Sequence, residues 1–261
     1  MGWKRTKPKE QKGKNWIAAA LWGCVTIWIV QTWWPGLIPW PTFDLWTPRG
    51  SLGEWLRAAW PILAFGCGLN FVIQIINWVN GDSPISRAFN WFIRKSDPSA
   101  ARIFGAGTLI SLWAGVAEEI AFRWLIFYAA IGTVTLGNFI FFGWLGFGIP
   151  EWFHLNVWGP IADWTTGGYL TQYIFFPYGN PDGPVSWAVG AGMLYSNAMF
   201  RDGHKYLGLL GVVNSWFLGM YFFWMSFRYG LISAIVVHFA YDFLIFATVA
   251  FMTALRQRRI A

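Results

Sequence analysis

Residues 103–149 read IFGAGTLISLWAGVAEEIAFRWLIFYAAIGTVTLGNFIFFGWLGFGI, an apolar stretch whose only charged residues are Glu118, Glu119 and Arg123. Its apolar residues run together without the alternation of a half-exposed strand. A helix needs about 20 residues to cross a hydrocarbon core of about 30 Å, and this stretch is long enough to do so twice. Backbone polar groups in lipid must be satisfied within the segment, so the expected conformation is helical. A break is expected near Gly132 to Asn138, dividing Ile120–Ile149 into two helices. An outer-membrane barrel would instead show short segments of dyad alternation, and the chain has none.

The flanking sequence repeats the pattern. Apolar runs occupy Trp16 to Trp34, Ala58 to Val79, Val185 to Phe200, Leu207 to Phe227 and Gly230 to Leu255. Of 261 residues, 56% are hydrophobic and 12% charged, with 21 Trp and 24 Phe. A soluble domain carries about twice that share of charge. These features predict an all-α, polytopic transmembrane helical bundle of about eight helices, with six as the alternative count. Residues 1–102 form a basic tail, two helices and a cytoplasmic loop, and residues 103–261 form the helical core.

The net charge of +7 does not point to nucleic acid, because the cations flank the apolar runs. Lys4, Arg5, Lys7, Lys9, Lys12 and Lys14 precede the first run, and Arg256, Arg258 and Arg259 follow the last. Such residues stay on the cytoplasmic side and attract anionic lipid headgroups. Arg87, Arg94, Lys95 and Arg102 place their loop on the same side. Both termini are therefore expected in the cytoplasm, membrane lipids are the expected partners, and a prokaryotic plasma membrane is the expected location. Trp16 to Trp34 exceeds a signal-peptide core and lacks a small-residue cleavage site, so it reads as an uncleaved helix. The Pro- and Trp-rich connector at Pro35, Pro39, Pro41 and Pro48 suits the headgroup region, and Asn180-Pro181-Asp182-Gly183 is a turn. Cys24 and Cys67 lie in apolar runs and read as small buried residues.

Ionisable groups at membrane depth cost several kcal/mol, roughly, unless paired or hydrated, which makes them candidate functional groups. Here they are Glu118, Glu119 and Arg123 in one stretch and His238 with Asp242 in the last helix, while Glu151 and His154 lie just past another. The chain has three His, and His204, in the loop Arg201 to Lys205, reads as solvated. On a straight α-helix Glu119 and Arg123 share a face and can pair. Glu118 is rotated roughly 100° from Glu119, so the two acids have different roles. His238 and Asp242 also share a face. Both pairs would equally serve as polar glue between helices.

Glu118-Glu119-Ile120-Ala121-Phe122-Arg123 resembles the Glu-Glu-x-x-x-Arg signature of the CAAX protease and bacteriocin-processing family, the type II CAAX endopeptidases and their prokaryotic relatives. The stretch from Gly230 to His238, followed by Asp242, is similar to that family's late His-x-x-x-Asn/Asp motif. The resemblance covers about residues 105 to 250. Two departures stand out: Pro150 occupies the Phe position of the family's Phe-x-x-x-His motif ahead of His154, and Asp242 stands where Asn is usual. An ionised Asp cannot donate a hydrogen bond.

The resemblance implies a glutamic intramembrane endopeptidase acting on a membrane-bound or lipidated peptide or protein, without cofactor or metal. In it, Glu118 with His154 would hold and deprotonate water. His238, helped by Asp242, would face the oxyanion, and Glu119 with Arg123 would support the site. No Ser or Cys stands beside a partner His as a covalent nucleophile. The residue types alone leave open a zinc site, a proton-coupled transporter and a non-enzymatic immunity or partner protein.

Overall fold

The computed structural model describes residues 11–33, 38, 40–80, 99–165, 168 and 187–260. The tail cations Lys4, Arg5, Lys7 and Lys9, the loop cations Arg87, Arg94 and Lys95, and the turn Asn180–Gly183 lie outside them.

The described residues are helical, with no strand among them. In order they form α1 (Gln11–Trp33), α2 (Leu52–Asn80), α3 (Ala100–Glu119), α4 (Ile126–Ile140), α5 (Ile149–Phe153), α6 (Gly159–Thr165), α7 (Trp187–Gly203), α8 (Gly208–Tyr229) and α9 (Leu231–Ile260). A π turn over Ile120–Leu125 joins α3 to α4, and another over His154–Trp158 joins α5 to α6. Counted across these turns, the described residues contain seven continuous helices. Two are long and apolar enough to cross a membrane, Ala100–Ile140 and Leu231–Leu255.

The break expected near Gly132–Asn138 does not occur; α4 runs on to Ile140. Gly132 is a packing position, where an added Cβ would collide with the Thr26 side chain of α1. Thr133 and Thr135 donate to the carbonyls of Ala129 and Ile131 at 2.7 and 2.8 Å, one turn back. Their hydroxyls are thus satisfied within the helix. The interruption falls instead at residues 141–148.

The chain divides into two compact units. The first comprises Met1–Thr47 and Ile120–Leu231. Its core gathers Ile27, Leu45, Phe127, Tyr128, Ile131, Met193, Met220 and Phe223 from α1, the connector, α4, α7 and α8. Missing side chains let the helices approach. An added Cβ on Gly23 would strike the Leu125 carbonyl, and one on Gly192 would lie 2.7 Å from Ile131.

Part of the Pro- and Trp-rich connector is built into this core. Ile38, Trp40 and Leu45 are buried. Trp40 Nε1 donates to the Tyr128 hydroxyl at 3.0 Å, and that hydroxyl donates to the Thr42 carbonyl at 3.2 Å. A buried indole or phenol needs such a partner; Tyr128 supplies it for Trp40, and the Thr42 carbonyl for Tyr128. Gly230, at φ +90°, ends α8 where any Cβ would meet the Thr47 carbonyl.

The second unit comprises Pro48–Glu119 and Ile232–Ala261. Ser51 and Glu54 cap the start of α2 reciprocally: Ser51 N–H donates to the Glu54 carboxylate at 2.6 Å, and Glu54 N–H to Ser51 Oγ at 3.4 Å. This is the Ser-x-x-Glu box that satisfies two orphan N–H groups. Gly66 of α2 accommodates the Tyr241 ring of α9, and Asn70 Nδ2 reaches the Ile245 carbonyl at 3.5 Å.

On α3 the buried residues are Ile103, Gly107, Ser111, Gly115 and Glu119, spaced every four residues. An added Cβ at Gly107 would lie 2.5 Å from Phe246 Cβ, and one at Gly115 3.0 Å from the Ile235 carbonyl oxygen. Ile103 packs with Val249 and Ala250. The pairing order makes α3 and α9 antiparallel, and the small residues permit their close backbone approach, as in helix pairs within membranes.

Candidate functional site

In the second unit, the small-residue stripe of α3 ends in an acid. Glu119 Oε1 lies 2.7 Å from His238 Nδ1. Glu119 is fully buried and His238 is 2% exposed. The other ring nitrogen, Nε2, is 3.6 Å from Asp242 Oδ2, one turn further along α9. That distance exceeds a hydrogen bond but leaves the charges strongly coupled where water is scarce. Glu118 is half-buried and within electrostatic reach of His238. A carboxylate buried as deeply as Glu119 is tolerated only with good pairing, and the imidazole provides it.

This acid–imidazole–acid order dictates what the ring can do. A neutral imidazole donates from one nitrogen only. With Nδ1–H donated to Glu119, Nε2 faces Asp242 as an acceptor. Donation from both nitrogens requires the imidazolium. Glu119 therefore fixes ring orientation and tautomer, and Nε2 is the chemically variable end.

The first unit holds Arg123 and His154. Arg123 is fully buried, with its guanidinium 4.2 Å from the Phe200 ring centroid, 5.3 Å from Phe222, 5.4 Å from Phe223 and 6.0 Å from Phe122. Its Nη2 donates to the Gly219 carbonyl at 3.2 Å. A side chain at position 219 would fill the space between Asn197 Oδ1 and that guanidinium. Aromatic faces attract a guanidinium electrostatically, and more strongly when water is excluded.

His154 opens the second π turn and is buried. Its ring lies 6.2 Å from Trp187. Phe147, seven residues upstream, stacks on Phe142 at 6.0 Å. Pro150 stands four residues before His154, and the ring beside His154 in space is that of Trp187.

Glu119, the last residue of α3, precedes the π turn and Arg123 lies within it, where the register is i→i+5 and not that of a straight α-helix. Each has partners in its own unit, His238 for Glu119 and the phenylalanine cage for Arg123. His204, expected to be solvated, is half-buried. Its Nδ1 is 2.8 Å from the Phe200 carbonyl and its ring 4.7 Å from the Phe200 ring. Cys24, expected to be buried, is exposed, and Cys67 is intermediate. Glu151 is held by Asn138: Glu151 N–H donates to Asn138 Oδ1 at 3.0 Å, and Asn138 Nδ2 to Glu151 Oε2 at 3.1 Å.

Sequence reasoning missed the small-residue stripe and the cage. The first was legible as Gly107-x-x-x-Ser111-x-x-x-Gly115-x-x-x-Glu119. The second had no sequence signal, since its rings come from three separated segments. Among the described residues no group of three or more His, Cys, Asp or Glu is arranged to hold a metal ion. No family model, curated protein or solved structure matches the chain.

Proposed function

We propose that this protein is a polytopic membrane peptidase that hydrolyses a peptide bond of a membrane-associated substrate with an activated water. The observation that carries the reading is the Glu119–His238–Asp242 series, built between two helices that are each part of a segment apolar and long enough to cross a membrane. Ionisable groups are expensive at such positions, and clustering them there is a mark of function. The resemblance of Glu118 to Arg123 and of His238 with Asp242 to the CAAX protease and bacteriocin-processing signatures supports the same reading.

In this mechanism Glu118 takes a proton from water as the water oxygen attacks the scissile carbonyl carbon. His238, oriented by Glu119, donates from Nε2 to the resulting oxyanion, the position where preorganised donors contribute most. The proton on Glu118 then passes to the leaving amine nitrogen as the C–N bond breaks, the usual division of general acid and base work. Donation from Nε2 while Nδ1 serves Glu119 requires the imidazolium, and Asp242 Oδ2, 3.6 Å from Nε2, is the carboxylate that faces it. Arg123 and His154 enter the proposal through the resemblance alone. The substrate class is a membrane-bound, leader-type or lipidated peptide, and the expected setting is a prokaryotic plasma membrane with cytoplasmic termini.

The test is cleavage of lipidated and unlipidated reporter peptides by purified protein, by Glu118→Gln and by His238→Ala, with and without a chelator. Cleavage by wild type alone, insensitive to chelator, supports the mechanism. Loss of wild-type activity with chelator would make the same groups metal ligands. Full cellular function of Glu118→Gln would sink the peptidase reading in favour of an immunity or partner role.

A further inference from the structure

The segment after α4 has an unusual chemistry for a turn. From Trp124 to Pro150 the chain carries no Asp, Glu, Lys or Arg. Chain reversals at a water-facing surface normally use polar residues, yet here the turn is built from Phe141, Phe142, Trp144, Leu145 and Phe147. Trp144 is 62% exposed and Phe147 63%. The exposed apolar surface continues from Phe139 and Ile140 at the end of α4 to Trp152 of α5. A contiguous patch of this kind marks an interaction surface.

Several polar atoms of the same segment bond to one another. Phe141 N–H bonds to Gly137 O at 2.9 Å, Leu145 N–H to Phe142 O at 3.0 Å, and Gly146 N–H to Gly143 O at 3.0 Å. Ile149 N–H bonds back across the turn to Phe141 O at 3.0 Å. Asn138 and Glu151, the polar residues at its two ends, are clasped together, and Gly148 lacks the Cβ that would strike Asn138 Oδ1. Phe142 adopts the left-handed region, φ +70°, with its ring stacked on Phe147. Non-helical backbone is compatible with lipid only when its polar groups are satisfied internally. Four backbone N–H groups of this segment meet that condition, and the turn exposes aromatic side chains, the residues that accumulate at the membrane interface, where headgroups and water can take the rest.

We infer that residues 139–152 form an aromatic hairpin immersed in the lipid bilayer at the hydrocarbon–headgroup boundary, continuous with the apolar helix Ala100–Ile140. The occupant of its exposed face is lipid. The inference rests on the membrane reading above but not on the peptidase one.

The test is site-directed spin labelling of the full chain in phosphatidylcholine vesicles. Cys24 and Cys67 are replaced by Ala, and single cysteines are placed at Trp144→Cys, Phe147→Cys and, as a reference in the Leu231–Leu255 helix, Leu244→Cys. Immersion predicts that labels at 144 and 147 collide several-fold more with oxygen than with a water-soluble nickel chelate, as the reference label does. Nickel accessibility at 144 and 147 like that of a free label, with a lipid-shielded reference, overturns the hairpin and leaves the membrane reading standing. A reference label equally open to nickel overturns both. Spin–spin broadening at 147 that disappears on dilution with unlabelled chain assigns the face to a second copy and also overturns the proposal.

Discussion

The geometry of α3 and α9 makes a graded prediction at Gly115. A Cβ there would lie 3.0 Å from the Ile235 oxygen, 3.1 Å from Phe239 N and 3.3 Å from Phe239 Cβ. Carbon contacts are most favourable at about 3.5–4.0 Å, so Ala requires the helices to part by about 0.5 Å locally. Overpacking costs about 1–3 kcal/mol, and replacing Gly within a helix returns about 1 kcal/mol, so Gly115→Ala should cost at most about 2 kcal/mol. The Glu119–His238 bond, one turn on, starts at 2.7 Å and tolerates that opening. Gly115→Val adds two further methyl groups and requires a separation beyond about 1 Å, which takes the bond past hydrogen-bonding distance.

Splitting a buried charged pair costs about 3–5 kcal/mol, so Gly115→Val should lose several kcal/mol. The assay is equilibrium unfolding in mixed micelles, run as a double-mutant cycle with Glu119→Gln. In the wild-type background Glu119→Gln should be strongly destabilising; in the Gly115→Val background its cost should fall below about 1 kcal/mol, because the bond is already broken. Equal costs of Glu119→Gln in the two backgrounds would refute the idea that the small-residue stripe holds the pair together.

Two further outcomes follow from the first unit. Arg123→Lys should cost about 1–2 kcal/mol in the same unfolding assay, since a compact ammonium cannot reproduce a planar guanidinium's stacking on Phe200; a neutral result would mean that the cage supplies little. Asp202 is bonded to Lys205 at 2.8 Å and Arg201 at 2.7 Å, and the Lys205 hydrogen bond, with help from Arg201, holds its carboxyl below the ordinary 3.8. Its stabilisation is complete above pH 3.8 and is lost as pH falls through the lower folded value. Because the group is exposed the effect is at most about 0.5–1 kcal/mol, and an acid unfolding series in which Asp202→Asn matches wild type above about pH 5 would remove it altogether.

The helical class was legible because it depends on composition and run length, which are local. So was the importance of Glu119, His238 and Asp242, since acids and imidazoles in apolar runs are conspicuous whatever surrounds them. Their pairing was less so. Spacing in an α-helical register offers Arg123 to Glu119, whereas the imidazole of His238, 119 positions away, is beyond the reach of any spacing argument. The π turn at Ile120–Leu125 changes that register, and nothing in IAFRWL announces it. Gly132 misled for a related reason: alone it reads as a breaker, and only the Thr26 side chain against it reveals a contact glycine.

The sequence by itself determined that the chain is helical, that its charges are excluded from most of its length, and which few polar residues are left within apolar surroundings. These follow from hydration energetics, which each residue carries with it. Only the tertiary structure decided that Glu119 meets His238, that Arg123 is enclosed by four phenylalanines, that Trp40 donates to Tyr128 and Tyr128 to the Thr42 carbonyl, and that the uncharged turn at 141–148 is closed by the Ile149–Phe141 backbone bond. Those outcomes depend on how closely two backbones approach, and that distance is set by what is missing at Gly107, Gly115, Gly192 and Gly219 as much as by any side chain present.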